Sequence, residues 1–139
     1  MKGTIVDAHI EGKTTYVTKQ TKYGTFTSKV TVHPEDEDIQ SEVLGYTFAE
    51  IKCDIKALKA KMKYFEHRAI GISHALDVIV KSRKFEVFDP AMQAFCRQKN
   101  IAWDEYYRAR ETYLINRDSY EDRVERMLQY RRKIKKSKM

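Results

Sequence analysis

The chain has 139 residues, with 27 lysines and arginines against 20 aspartates and glutamates and a formal net charge of +7. That length suits one domain with a core of its own, and an apolar fraction of 42% excludes a chain too polar to fold. No run approaches the roughly eighteen apolar residues of a membrane-spanning helix, no basic and apolar leader opens the chain, and Cys53 and Cys96 lack CxxC spacing, so a cytosolic (cytoplasmic) protein with reduced thiols is expected.

From Lys2 to His33, threonine, valine, isoleucine, tyrosine and phenylalanine dominate, with turn signals at Glu11-Gly12 and Tyr23-Gly24. The pattern predicts a three-stranded antiparallel meander. Alternation assigns its half-buried face to Val6, Ala8 and Ile10, to Tyr16, and to Phe26, Val30 and Val32, with threonine and lysine on the other face. A sheet this small must rest that face on a helix or on another protomer. The segment His33-Pro34-Glu35-Asp36-Glu37-Asp38 then places proline at a first helical position and four acids at the positive end of a short helix. It lacks the glycine of a calcium-binding EF-hand loop, so no metal site is expected.

Gly45 reads as a break, and Thr47-Phe48-Ala49-Glu50 as a capping box that opens a long helix. Phe48, Ile51, Ile55, Leu58, Met62, Phe65, Ala69, Ile72, Leu76 and Ile79 then recur at alternating three- and four-residue steps. This heptad pattern commits the helix to packing along an equally long partner, and the seam is assigned as an oligomer interface. Gly71 beside it costs up to about 1 kcal/mol relative to alanine, and reads either as a tolerated glycine or as the point where helices cross closely at a dimer interface. Cys53 falls away from the seam and reads as exposed. Ile70, Val78 and Val80 also fall off the seam and mark a second interface.

The helix is expected to end near Ser82, before the apolar link Phe85-Glu86-Val87-Phe88. Asp89-Pro90 is an N-cap followed by an N1 proline, opening a short helix to about Gln98 with Met92, Ala94 and Phe95 inward. Asn100 is read as its end, the alternative being one kinked helix from Pro90 onward. A final helix then runs from about Ala102 into a basic tail, antiparallel to the first. The fold class is α+β: residues 1–45 form a small β-meander with an acidic linker, and residues 46–139 a long, coiled-coil-like antiparallel helical hairpin. Oligomerisation to a dimer or tetramer would complete a helical bundle.

On the final helix, three-four spacing picks out Tyr106, Arg110, Tyr113, Arg117 and Tyr120. Tyrosines and arginines in alternation stack bases and clamp phosphates, at roughly 1 to 3 kcal/mol per stacked base. The competing reading lays the arginine stems along the bundle and pairs their heads with acids such as Glu66, Asp77 or Glu121. Lys52, Lys56, Lys59 and Lys63 form a basic stripe on the first helix, either tracking phosphates or flanking a coiled coil. Arg131, Arg132, Lys133, Lys135, Lys136 and Lys138 crowd the last nine residues without an acid. With these six set aside, the rest of the chain carries about +1, so the basicity is a tail suited to non-specific, salt-dependent contact.

His67 and His74 lie two helical turns apart, about 10 Å, and cannot share a metal. Ser73, His74 and Asp77 cannot meet as a triad along one helix. There is no glycine-rich phosphate loop and no HExxH. No cofactor or metal is expected, and the chain does not read as an enzyme.

Through Val30-Thr31-Val32-His33-Pro34-Glu35-Asp36-Glu37-Asp38-Ile39 and Phe48-Ala49-Glu50-Ile51-Lys52-Cys53-Asp54, the chain resembles small accessory proteins encoded by phages of Gram-positive bacteria. The resemblance covers Val30 to Lys63 and brings no catalytic motif. It implies a stoichiometric protein of the host cytoplasm that binds and occludes a host or phage protein, inhibitors of host defence being among such proteins. Two alternatives rest on the residues themselves. One is a nucleic-acid-binding accessory protein using the tail and the tyrosine-arginine face; the other is a binder of a small phosphorylated ligand at Tyr106, Arg110, Tyr113 and Arg117.

Overall fold

The computed structural model describes residues 2–31, 42–82 and 89–137. Three strands, β1 (Gly3–Glu11), β2 (Thr14–Thr21) and β3 (Gly24–Thr31), precede two helices, α1 (Glu42–Ser82) and α2 (Pro90–Ser137). The strands form an open antiparallel sheet in the order β1-β2-β3, the expected α+β arrangement. Both hairpin connections are two residues long, and Gly12 sits at a φ of 60° that a left-handed turn requires. The pairing of β1 shifts between Ile5 and Asp7, so Val6 is the extra residue of a β-bulge. The acidic segment His33–Asp38, Val32 and the link Phe85–Phe88 lie outside the described residues.

The inward face of β2 is the opposite of the expected one. Its Thr15, Val17 and Lys19 are buried, while Tyr16 lies on the opposite face, its ring stacked on His9 at 5.0 Å. The register explains it: Thr15 pairs with Val30, Val17 with Ser28 and Lys19 with Phe26, so the inward residues of β3 select the odd row of β2. Strand parity is all-or-none, and a one-residue slip exchanges every side chain between faces. On β1, Ala8 pairs with Val17 and Ile10 with Thr15, yet all nine residues are exposed.

The chain divides into two compact units, Met1–Leu58 with Leu114–Met139, and Lys59–Tyr113. In the first, the opening turns of α1 lie on the sheet, with Val17, Ala49 and Cys53 as the core and Val30 and Tyr46 packed against it. Gly45 belongs to this helix and does not break it. A Cβ there would stand 2.6 Å from Thr15 Oγ1, so glycine is what lets the helix settle on β2. Gly45, Ala49 and Cys53 recur every four residues and make one narrow face for the sheet. Cys53 is therefore fully buried, contrary to its expected exposure, and its Sγ donates to the carbonyls of Val17 and Phe26 at 3.3 Å each.

In the second unit the two helical stretches run antiparallel. Trp103 Nε1 donates to Ser73 Oγ at 2.8 Å, Arg68 reaches Glu105 at 3.4 Å, and Tyr106 hydrogen-bonds Glu66, so partners ascend α2 as they descend α1. Ala69 and Leu76 of the heptad seam are buried, and Met62, Phe65, Ile72 and Ile79 half-buried. From α2, Met92, Ala102 and Ala109 are buried in turn. Seam residues that the heptads assign to an oligomer interface are thus covered within a single chain.

The helix starting at Pro90 has the expected cap: Asp89 Oδ1 accepts from the Ala91 amide at 2.8 Å and its carbonyl from the Gln93 amide at 3.0 Å. The expected break at Asn100 does not occur, and α2 is one helix of 48 residues. Asparagine costs a helix interior only a few tenths of a kcal/mol, about 0.7 at most. Nothing offsets the loss of a continuous seam through Phe95, Lys99, Ala102 and Tyr106, all at least half-buried.

Candidate interaction surface

The candidate residues separate into those used up by the fold and those turned outward. Lys52 and Lys56, half of the predicted basic stripe, are engaged with the sheet. Lys52 Nζ donates to the Lys29 carbonyl at 2.8 Å and Lys56 Nζ to the Thr27 carbonyl. Burial, then the neighbouring charges of Lys56 and Lys29, lower the Lys52 pKa below the usual 10.5. Lys59 and Lys63 are exposed.

The tyrosine-arginine stripe does not exist as one face. Tyr106, Tyr113 and Tyr120 are half-buried, but the positions that alternate with them are Ala102, Ala109 and Asn116, while Arg110 and Arg117 are exposed. Steps of 3.6 residues allow either neighbour to continue a seam, and small alanines pack more closely there than guanidinium groups. Trp103, Tyr106 and Tyr107 form a ring cluster with centroids 5.2 to 6.1 Å apart. Burial first, and then the Glu66 carboxylate it bonds, raise the Tyr106 phenol above its usual 10.0. Burial, then Glu121, does the same for Tyr120. Arg117 pairs with the adjacent Asp118 at 3.0 Å.

Of the basic tail, α2 carries Arg131, Arg132, Lys133, Lys135 and Lys136 in helix. Arg132 lies 3.7 Å from Glu125, and with Gln129, Lys133 and Lys136 it lines a recess of about 270 Å³. A smaller apolar cavity of about 80 Å³ lies among Ile79, Ala91, Met92 and Phe95. It is below the few hundred Å³ of a typical ligand pocket. Among the described residues no three His, Cys, Asp or Glu side chains gather as a metal site, and no described helix is long and apolar enough to cross a membrane.

What remains outward on α1 is ordered. Tyr64, His67, Gly71, His74 and Val78 are all exposed and follow one another at steps of three, four, three and four residues. They form a second heptad stripe on the face of α1 opposite the buried one, with exposed Ile70 at its edge. Beyond its own helical turn, no described atom lies within 4 Å of a Cβ built on Gly71, so no close approach is made there among the described residues. Composition alone hides this stripe, because only Tyr64 and Val78 in it are strongly apolar. Comparison with protein-family models, with curated proteins and with solved structures found no match.

Proposed function

We propose that this chain is a non-enzymatic interaction protein that binds a protein partner through the α1 stripe Tyr64-His67-Gly71-His74-Val78 and acts by occluding that partner. One observation carries the reading: a stripe at coiled-coil spacing, with a notch at Gly71, stands in solvent on a helix whose other stripe is already packed. Half-exposed tyrosine and valine around a notch suit a helix-sized apolar ridge on another protein. The resemblance to phage accessory proteins makes that partner a host or phage protein, and inhibition of host defence the sharpest form of the function.

The test places a photo-cross-linking residue at Tyr64, at Val78 and, as a reference, at Glu111 in chains expressed in a Gram-positive host. Cross-linking of one protein from positions 64 and 78 but not 111, abolished by Gly71→Arg at unchanged melting temperature, is the expected result. Equal capture from all three positions, or capture indifferent to Gly71→Arg, refutes it.

A nucleic-acid reading has one support, the basic recess lined by Arg132, Lys133 and Lys136. Deleting residues 131–139 separates the two. Retained nucleic acid and its salt dependence would vanish in the second reading, whereas partner capture by the α1 stripe would persist.

A further inference from the structure

The two edges of the sheet are treated differently. In each two-residue hairpin the closing pair, Glu11 with Thr14 and Thr21 with Gly24, exchanges both hydrogen bonds, and the alternation of antiparallel ladders then fixes which backbone groups point outward. On β3 the outward groups fall on Thr25, Thr27, Lys29 and Thr31. The carbonyls of Thr27 and Lys29 are the two that Lys56 and Lys52 occupy. That edge is guarded by lysine, a common device against strand addition.

On β1 the same alternation turns Ala8 and Ile10 outward, and no described side chain bonds to their backbone groups. The strand is exposed on both faces along its whole length, with Ile5, Val6 and Ile10 at 45%, 53% and 38%. Its helix-side face continues the row that carries Val17, past the cover α1 provides. Its other face sets His9 between two acids, 2.7 Å from Asp7 and 3.5 Å from Glu11.

We infer that β1 is an association edge and that its occupant is β1 of a second copy of this chain, paired antiparallel about a two-fold axis at Ala8. Charge and hydrogen-bond parity select this register. Centring on Ala8 sets two outward-pointing residues opposite each other and places His9 of each copy across from Asp7 of the other. Centring on His9 would set Asp7 against Glu11 of the second copy, two like charges. Centring on Ile10 would run each strand into the other's turn at Gly12. The product is a continuous six-stranded sheet with lysine-guarded β3 at both ends. This goes beyond the proposed function and uses a different surface.

The test is made on the full chain with Cys96→Ser to remove the exposed thiol. Ala8→Cys should form a disulfide-linked dimer under mild oxidation, because paired Cα atoms in such a ladder lie about 5.5 Å apart. Thr4→Cys should not, since its two copies would be about 27 Å apart in this register. Light scattering of the unmodified chain at roughly 100 μM should give twice 16.5 kDa. Ala8→Pro, which removes an outward amide and leaves the β2 ladder intact, should give a folded monomer. A monomeric unmodified chain, or a dimer that links no better at position 8 than at position 4, overturns the inference, as does a chain whose β1 pairs only with a different protein. Cross-linking from Tyr64 and Val78 reads the other surface, so the two proposals fail independently.

Discussion

Replacing Lys19 with methionine tests how the helix is held on the sheet. Lys19 is 3% exposed, and its ammonium lies 2.8 Å from Asp54 and 3.0 Å from Glu50 of α1. Methionine keeps most of the apolar stem but leaves two carboxylates together against the sheet. Breaking a fully buried pair from one side costs about 3 to 5 kcal/mol. Asp54 and Glu50 keep 22% and 40% of their side-chain exposure, so the lower end applies, about 3 kcal/mol and a fall in Tm of roughly 10 °C. Adding Glu50→Gln and Asp54→Asn should regain most of that loss, since the desolvated charges are then gone. The pH dependence has a definite sign. Burial lowers the Lys19 pKa, but the hydrogen bonds and charges of Asp54 and then Glu50 outweigh it and leave the group above its usual 10.5. A cation with a raised folded-state pKa stabilises fully below its unfolded pKa and loses that contribution as pH rises through the folded value. Urea denaturation of the unmodified chain should therefore show a steeper alkaline loss above about pH 10.5 than the Lys19→Met chain. A substitution cost under about 1 kcal/mol, the range of an exposed ion pair, or parallel alkaline slopes, would refute a buried charge cluster here.

Three further substitutions test packing. Gly45→Ala drives a methyl into Thr15 Oγ1 and should destabilise by about 1 to 3 kcal/mol, with Thr15→Ala in the same chain recovering part of it; an unchanged urea midpoint would place α1 farther from β2. Gly71→Ala, in open space, should stabilise by about 0.5 to 1 kcal/mol through helix propensity alone, and a lowered Tm would mean that something already touches it. Ala109→Leu should cost about 1 to 3 kcal/mol while Arg110→Ala stays within about 0.5; thermal unfolding showing the reverse order would restore the arginines to the seam.

The long seam of α1 is legible because ten apolar residues keep one period over nine turns, and no other structure buries such a row. The hairpin turns and the cap at Asp89 are legible for a similar reason: each is a local demand met by a residue suited to it, glycine at Gly12 and a side-chain acceptor at Asp89. Less of the candidate surface can be read. Alanine is apolar but small, so Ala102 and Ala109 are passed over in favour of the larger Arg110 and Arg117, which also sit three or four residues from the tyrosines but face a different side of the helix. Lys19 looks like a solvated strand residue until two acids 31 and 35 positions away are brought beneath it. Lys52 and Lys56 form a plain basic stripe in the sequence, and their role at the β3 edge depends on where that edge comes to lie.

Local order along the chain, the α+β sequence of elements, two long helices and their antiparallel return are therefore properties of the sequence alone, because periodicity and capping act over a few residues. Which row of β2 faces inward, why Gly45 and Cys53 are small, and which lysines remain outward were decided only by the docking of α1 on the sheet. That docking pairs residues 23 to 36 positions apart. Contacts at that separation follow from which small and charged groups can share one buried surface, and no local pattern encodes the choice.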